Sequence, residues 1–227
     1  DLVCEPAAID GAPLEGVYTL GARQGRLDSL PGYEEGAWWV MDPAAVAVAD
    51  FAVRHTAEGG RVLDACAAPG GKAFRMASRG YTVVAADQDA RRLSLLRDNA
   101  TRLGMKLQTQ VHQWGAASSS DLGLFSTVVV DAPCTGLGTV RRHPEIRWRR
   151  MKSDPAAMGI RQVAILSAAA AHVEPGGVLI YAVCSPEPEE GPGVVAGLDG
   201  WTVFDRWASA PPAGDEDAHQ VFALRRE

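Results

Sequence analysis

Two cysteines and an aspartate follow strand-like segments at positions where side chains could carry out chemistry. A Val-rich segment ends at Asp131, and Cys134 follows in the sequence DAPCTGLGTVRRHP. A second apolar segment ends immediately before Cys184. A thiol is intrinsically very nucleophilic but is mostly protonated at neutral pH, so it needs a nearby base or positive charge. Asp131, Cys134 and Cys184 are therefore candidate catalytic residues, with Arg141 and Arg142 as candidate cationic neighbours.

A turn of small residues follows an earlier strand-like segment. RVLDAC, residues 61–66, runs into AAPGG and then Lys72. Small residues let backbone amides approach a ligand closely, but the spacing matches neither a P-loop nor G-x-G-x-x-G. Asp87 ends the next segment, roughly twenty residues after the turn, where an acid can accept ribose hydroxyls. The pattern favours an adenosine-containing ligand without a pyrophosphate; the alternative is that Asp87 caps the helix from Ala90.

Strand-like and helix-like segments alternate between residues 61 and 182, which predicts an α/β fold. The predicted strands are 61–66, 82–87, one within 106–114, 126–131, 177–183, 201–207 and 220–226, and the predicted helices are 72–80, 90–104 and about 156–173. Continuous Val-rich strands indicate a mostly parallel sheet of seven strands covered by helices on both faces. The last strand ends the chain and would suit an edge. Carboxyl ends of parallel strands meet at one edge of a sheet, where ligands bind.

The chain divides by regularity into two parts. Residues 1–60 are predicted to be a lead-in that packs on the core, and 61–227 to be the main domain. No apolar run reaches the roughly 20 residues that a membrane span needs, and the start has no signal-peptide pattern. Four cysteines without a C-x-x-C pair and five scattered histidines argue against a metal site. Cys4 and Cys66 are interpreted as structural thiols, and the protein is predicted to be cytoplasmic.

Charge is unevenly distributed along the sequence. The net charge of −6 argues against indiscriminate nucleic-acid binding. The segment RRHPEIRWRRMK, residues 141–152, nevertheless carries six cationic side chains against a single acid, Glu145. Such a segment indicates a localised anionic partner, the alternative being a solvated charged helix face. Arginine suits phosphate through bidentate hydrogen bonds, and Trp148 could stack on a base.

Three segments resemble the motifs of a known family. DACAAPGGK, DAPCTGLGTVRRHPEIRWRR and YAVCSPEPEE are similar to the motifs of the RsmB/Sun/NSUN family of S-adenosylmethionine-dependent RNA (cytosine-5)-methyltransferases. The likeness extends upstream to LPGYEEGAWWVMDPAA and downstream to FALRR, so it covers nearly the whole chain from about Gly32. It implies a Rossmann-like class I methyltransferase fold, S-adenosyl-L-methionine as cofactor and RNA as partner, with ribosomal RNA favoured.

The resemblance also implies catalytic roles. Cys184 would add to carbon 6 of cytosine, and Asp131 would hydrogen-bond ring nitrogen 3 and the amino group. Cys134 would help to remove the carbon 5 proton and expel the thiolate. Lys72 would contribute positive potential beside the cofactor.

Binding residues follow from the same motifs. The residues implied for the cofactor are Cys66, Ala67, Ala68, Pro69, Gly70, Gly71, Lys72, Asp87, Arg92, Trp114, Asp131 and Pro133. The residues expected to contact RNA are Arg141, Arg142, Arg147, Trp148, Arg149 and Arg150.

The sequence departs from the family pattern at several places. VHQWGAA lacks the usual acid after the third strand, so adenine contact falls to Trp114 or Gln113. The motif close to PEEN reads PEPEEG, with Gly191 in place of Asn, and the usual Asp-Gly-Phe-Phe reads DAHQVF. No separate RNA-targeting domain is visible, which is consistent with a truncated sequence or with recognition through a partner.

Two other functions remain open at this point. One is a non-catalytic RNA-binding or assembly factor on the same fold. The other is a methyltransferase of a different nucleic acid such as DNA, in which the cysteine after the fourth strand, Cys134, would be the nucleophile.

Overall fold

The computed structural model describes residues 4–9, 12–20, 25–115, 122–209 and 216–227. Its strands are β1 (Cys4–Ile9), β2 (Ala12–Leu20), β3 (Arg61–Asp64), β4 (Thr82–Asp87), β5 (Gln108–Val111), β6 (Phe125–Asp131), β7 (Val173–Val183), β8 (Trp201–Ala208) and β9 (Gln220–Arg226). Its helices are α1 (Pro43–Arg54), α2 (Gly71–Ser78), α3 (Ala90–Arg102), α4 (Ile146–Arg149), α5 (Asp154–Ala170) and α6 (Pro192–Ala196). None of the helices in these ranges is long and apolar enough to cross a membrane.

Seven strands form one mostly parallel sheet in the order β5-β4-β3-β6-β7-β9-β8. The pairs from β5 to β7 are parallel, and β9 runs antiparallel to both β7 and β8. Strand order reverses at β3, because β4 lies on one side of it and β6 on the other. The crevice at such a reversal is where open α/β sheets bind ligands. The predicted fold class is confirmed.

The sheet is covered on both faces because alternate residues of its buried strands point to opposite sides. Leu63 and Val128 belong to a core cluster that includes Leu166 of α5. Val62 and Val129 belong to a second cluster, which α1, α2 and α3 complete from the other side.

The prediction that the last strand forms an edge is wrong. Strand β9 lies between β7 and β8, and β8 is the edge. The physical reason is visible in burial: Val221, Phe222, Ala223 and Leu224 are all buried, whereas β8 alternates between half-buried and exposed residues. A strand that is apolar on both faces is stabilised in the interior of a sheet. Being the last strand in the sequence does not place it at the edge.

The boundary between α5 and β7 also differs from expectation. The helix was expected to continue to about residue 173 but ends at Ala170, and β7 already begins at Val173. Phe125 pairs with Val173, after which a register irregularity leads to the pairing of Thr127 with Val178. The strand therefore also includes residues 174–176, which lie between the predicted helix and the predicted strand.

The N-terminal part contains a helix and a hairpin. Asp42 caps α1, since its carboxylate accepts the amide of Ala44 at 2.9 Å, and Pro43 occupies the first helical position. Val48 and Phe51 of α1 are buried in the core beside α2. The antiparallel hairpin β1–β2 was not predicted. The division at residue 60 remains a prediction, and residues 1–3 of the stretch inspected for a signal peptide lie outside the described residues.

Candidate active site

Polar residues end four adjacent parallel strands at the carboxyl edge of the sheet. Asp64, Asp87 and Asp131 end β3, β4 and β6, and Cys184 follows β7. Asp64 and Asp87 are buried, whereas the side chain of Asp131 is 27% exposed. The strand order therefore brings together residues that are up to 120 positions apart in the sequence.

The turn between β3 and α2 requires glycine at its last residue. Gly70 has φ +117° and is the N-cap of α2. A Cβ atom there would lie 2.5 Å from the ring of Phe74 and 2.9 Å from Leu96, so the residue faces the core. Of the residues predicted to bind the cofactor, Gly70 is the one that lines neither of the two cavities described next.

The first cavity has a volume of about 430 Å³ and opens beside the ends of β4 and β6. It is lined by seven of the predicted cofactor residues, namely Cys66, Ala68, Asp87, Arg92, Trp114, Asp131 and Pro133. Cys134 and Cys184 also contribute to its wall. The cavity further includes Gln88 and Arg161, which the sequence analysis did not single out.

Asp87 faces this cavity and is not the cap of the following helix. Its carboxylate accepts the amides of Ala68 at 3.1 Å and Asp89 at 2.9 Å. Asp89 is the N-cap of α3, because its side chain accepts the amides of Arg91 and Arg92. The capping alternative for Asp87 is therefore wrong.

Trp114 lies where the family's usual acid is missing. Its indole Nε1 donates to the carbonyl oxygen of Ala65 at 2.6 Å, which fixes the ring against the sheet. The ring lines the first cavity beside Gln113 and packs 4.2 Å from the His112 ring. Ala116 and Ala117 of VHQWGAA lie outside the described residues.

The second cavity, about 260 Å³, lies at the start of α2. It contains Ala67, Pro69, Gly71 and Lys72 from the predicted cofactor turn, together with Asp64, Arg142, Asp217 and His219. Cys66, Ala68, Asp131 and Cys184 line both cavities. Asp131 and Cys184 are therefore accessible from both cavities.

The two thiols that the sequence placed at neighbouring strand ends do converge. Strands β6 and β7 pair in parallel, and Sγ of Cys134 lies 3.0 Å from Sγ of Cys184. The hydrogen bond to Cys184 and burial both raise the pKa of Cys134 well above its usual range. Cys134 therefore keeps its proton at neutral pH and can donate it to the sulfur of Cys184. Burial also raises the pKa of Cys66, so that thiol stays protonated and poorly reactive.

Lys72 and Asp131 form an ion pair at the junction of the cavities. The ammonium Nζ of Lys72 lies 2.7 Å from Oδ2 of Asp131. Burial by itself lowers the pKa of Lys72, but the charge and hydrogen bond of Asp131 outweigh it and raise that pKa. The lysine thus stays cationic and orients the carboxylate beside Cys184.

Asp64 is a site residue that the sequence analysis missed. No described residue meets hydrogen-bond geometry with either carboxylate oxygen, although the backbone of Cys66 lies close enough to oppose the rise of the pKa. Burial, and then the charge of Asp131, raise the pKa of Asp64 to about 7. The signal was present in the sequence, because RVLD ends in an acid just as the strands before Asp87 and Asp131 do.

Glu190 holds the loop that carries Cys134 and was also missed. This buried carboxylate accepts the amide of Thr135 at 2.8 Å, and it also accepts the Thr135 hydroxyl and the side-chain amide of Gln162. Gln162 donates in addition to the carbonyl of Pro133 at 2.9 Å. Buried acceptors that are fully satisfied in this way keep a loop in one conformation.

The predicted RNA contacts separate into two groups. Arg141 lies 3.2 Å from Asp42, and Arg142 binds Asp217 through both Nε and a terminal nitrogen. These two arginines are therefore engaged within the protein, and an additional contact to RNA remains a prediction for them. Arg150 is exposed, yet its Nε donates to the carbonyl of Thr135 at 2.7 Å.

Helix α4 carries predicted RNA contacts that are exposed and not bound within the described part of the protein. Arg147, Trp148 and Arg149 all lie on the surface, with Trp148 80% exposed. Neither Arg147 nor Arg149 forms an ion pair with another described residue. This short helix is the part of the predicted RNA surface that is available to a partner.

Comparison with known proteins identifies the family. Residues 52–198 match the family described as 16S rRNA methyltransferase RsmB/F. The chain is 39% identical over 170 residues to a ribosomal RNA small subunit methyltransferase B of Citrobacter koseri; the match covers 71% of this chain and 38% of that protein. The chain thus spans well under half the length of this relative.

Solved structures agree with the fold. NSun6 from Pyrococcus horikoshii, crystallised with SFG, superimposes with a TM-score of 0.80 at 22% identity, covering 93% of this chain and 61% of that one. A methyltransferase homologue from the same organism gives a TM-score of 0.74 at 22% identity, covering 92% and 75%. From the match over residues 52–198 and the 39% identity, this chain belongs to the RsmB/F family of 16S rRNA methyltransferases.

Proposed function

We propose that this chain transfers a methyl group from S-adenosyl-L-methionine to carbon 5 of a cytosine in RNA, with 16S rRNA as the substrate class. Family membership supports methyl transfer to ribosomal RNA. The observation that carries the finer proposal is the pair of thiols, 3.0 Å apart, where the two cavities meet. One thiol can form a covalent bond to the base while the other serves the same carbon pair as an acid–base group.

The residues present fit the proposed cofactor. Asp64 is a buried carboxylate whose oxygens accept no hydrogen bond from the described residues. A ligand that brings a hydrogen-bond donor, such as an amino group, would satisfy it. Asp87 offers a carboxylate for ribose hydroxyls, and the Trp114 ring and Gln113 flank space for adenine. S-adenosylmethionine supplies an electrophilic methyl group when bound. The segment 66–72 would hold its methionine part and the first cavity its adenosine.

Cys184 and Asp131 together activate the base. The thiolate of Cys184 adds to carbon 6, and the ring electrons move towards carbon 5, which is a poor nucleophile without this addition. The Asp131 carboxylate accepts a hydrogen bond from the amino group of the electron-rich adduct, and one from ring nitrogen 3 when the adduct carries a proton there. Lys72 keeps the Asp131 carboxylate oriented, since the two are bound at 2.7 Å.

Cys134 serves the last step. The methylated adduct must lose the proton on carbon 5 as the bond between carbon 6 and the sulfur of Cys184 breaks, which returns free Cys184 and a neutral methylated base. The sulfur of Cys134 lies beside that of Cys184 and is held there by the Glu190 contacts to Thr135. Cys134 is thus placed to pass its own proton to the departing sulfur of Cys184 and to take up the carbon 5 proton in return.

The experiment that tests this function is a denaturing gel for covalent protein–RNA adducts. Unmodified 16S rRNA transcript and S-adenosylmethionine are incubated with the parent protein, with Cys134→Ala and with Cys184→Ala. Adduct should accumulate in Cys134→Ala, where release is impaired, and should be absent in Cys184→Ala. Cys66→Ala is the matched control, because its thiol is also buried at the site but has no covalent role.

The other patterns have definite meanings. Adduct in Cys184→Ala and none in Cys134→Ala would assign the nucleophile to Cys134. A parent that binds RNA but transfers no methyl group and forms no adduct in any variant would favour the non-catalytic RNA-binding alternative. Equal transfer to DNA of the same sequence would remove the preference for RNA.

A further inference from the structure

His219 faces the catalytic thiol from the neighbouring antiparallel strand. Val183 at the end of β7 pairs with Gln220 at the start of β9. One step further along the same register, Cys184 stands opposite His219. Residues opposite one another in such a pair project to the same face of the sheet, and both line the second cavity.

A backbone insertion separates these two residues. Instead of pairing directly, the strands are bridged by Gly138, whose amide donates to the Cys184 carbonyl at 3.0 Å and whose carbonyl accepts the Ala218 amide at 2.9 Å. A Cβ atom on Gly138 would lie 2.2 Å from the Ala218 carbonyl oxygen, so only glycine fits. The strands are spread apart here, and the cavity lies between Cys184 and His219.

His219 lines this cavity with a buried side chain, the residue being 5% exposed. No described residue meets hydrogen-bond geometry with Nδ1, although the backbone of Asp217 lies close enough to oppose the lowering of the ring's pKa. The other side-chain nitrogens of the cavity are committed, because Lys72 binds Asp131 and Arg142 binds Asp217. Burial, and then the charge of Lys72, lower the pKa of His219, so the ring is neutral and retains one N–H donor.

We propose that His219 binds the target base by donating a hydrogen bond to its ring carbonyl oxygen at position 2. This inference rests on the proposed function. A cytosine presents an amino group, which the Asp131 carboxylate can accept, and a carbonyl oxygen, which needs a donor. With Asp131 at the amino end of the base and His219 at the carbonyl end, both ends of its polar edge have a partner. Aligning Asp217 with the Asp of Asp-Gly-Phe-Phe places His219 where the motif has Phe, which cannot donate.

The test pairs a change in the protein with a change in one atom of the RNA. Adduct formation is timed in the Cys134→Ala background with 16S rRNA transcripts made with cytidine or with 2-thiocytidine, since sulfur is a weaker acceptor than oxygen. Three proteins are compared in this background: one that keeps His219 and the variants His219→Phe and His219→Gln. The protein that keeps His219 should form adduct about tenfold more slowly on the thio RNA than on the cytidine RNA. His219→Phe should be slow on both RNAs. His219→Gln, which keeps a donor, should recover part of the rate difference between the two RNAs.

The comparison of ratios isolates the contact from other effects. Any general effect of sulfur on RNA folding is common to all three proteins and cancels. If His219→Phe shows the same oxygen-to-sulfur ratio as the parent, the proposed contact is wrong even though adduct forms. If no protein forms adduct with either RNA, the proposed function itself fails. Thermal melting and calorimetry with S-adenosylmethionine verify that each variant is folded.

Discussion

At the scale of single residues, Asp64 combines a cost in stability with a role in binding. Its carboxyl group is fully buried beside Asp131, and its oxygens have no partner among the described residues. Burying a charge without a partner is unfavourable, and the group responds by holding its proton to about pH 7. Polar groups left unsatisfied in this way are common at sites that await a ligand.

The pH dependence of stability should reveal this group. The pKa of Asp64 is raised in the folded state. Its contribution to the free energy of unfolding is therefore fully present below the unfolded pKa of 3.8 and is lost as pH rises through about 7. Replacing Asp64 by Asn removes this pH-dependent loss of stability. Relative to the parent without ligand, Asp64→Asn should therefore gain on the order of a few kcal/mol in unfolding free energy between pH 4 and pH 8, and it should bind S-adenosylmethionine more weakly.

Urea unfolding at several pH values measures the first effect and calorimetry the second. Asp98→Asn is the matched control, because Asp98 is an exposed acid on α3 and should change neither quantity. A difference between Asp64→Asn and parent that stays constant from pH 4 to pH 8 would contradict the assignment.

At the scale of elements, two departures from the family motifs turn out to be neighbours. A Cβ atom on Gly191, which stands where the family has Asn, would lie 2.5 Å from Oε1 of Gln220. Gln220, at the second Phe of the aligned motif, donates through Nε2 to the Ser185 carbonyl at 2.7 Å. The Gln220 side chain thus occupies the room beside Gly191 and secures the residue that follows Cys184.

We therefore expect Gly191 and Gln220 to be energetically coupled. Gly191→Asn alone should destabilise the protein by about 1–3 kcal/mol, because the new side chain competes with Gln220. In the Gln220→Phe background the same substitution should cost less, giving a coupling energy above about 0.5 kcal/mol in a double-mutant cycle. Denaturant unfolding of the four proteins measures it. Additive effects of the substitutions at 191 and 220 would refute the coupling.

The strands that carry the site could be predicted from the sequence more reliably than the order of all strands in the sheet. Val-rich runs before Asp131 and Cys184 predicted β6 and β7 and the convergence of the thiols, because parallel strands fix which ends meet. The position of β9 beside β7 depends on long-range pairing that no local pattern contains. His219 could therefore not be placed opposite Cys184 before the register was known.

At the scale of the whole molecule, the cations of α4 are distinguished by their clustering. The net charge is −6, and several arginines are paired internally, as Arg75 is with Asp50 and Arg142 with Asp217. Arg147 and Arg149 are exposed, flank the exposed Trp148, and lie in a segment that carries six cationic side chains against one acid. An acidic protein with such a local basic cluster should bind RNA at that cluster and not over its whole surface.

The salt dependence of RNA binding should locate this surface. Each arginine that neutralises a phosphate releases counterions, so Arg147→Ala and Arg149→Ala should each reduce the slope of log K against log salt by roughly 1. Arg206→Ala, an exposed arginine on the edge strand β8, should leave the slope unchanged. Arg142→Ala should mainly lower stability, since the buried Asp217 carboxylate loses its hydrogen-bonded cation and keeps only the longer contact of 3.7 Å to Arg141. Filter binding to a 16S rRNA transcript at a series of salt concentrations measures the slope for each variant. A slope that falls for Arg206→Ala but not for Arg147→Ala or Arg149→Ala would place the RNA on another face.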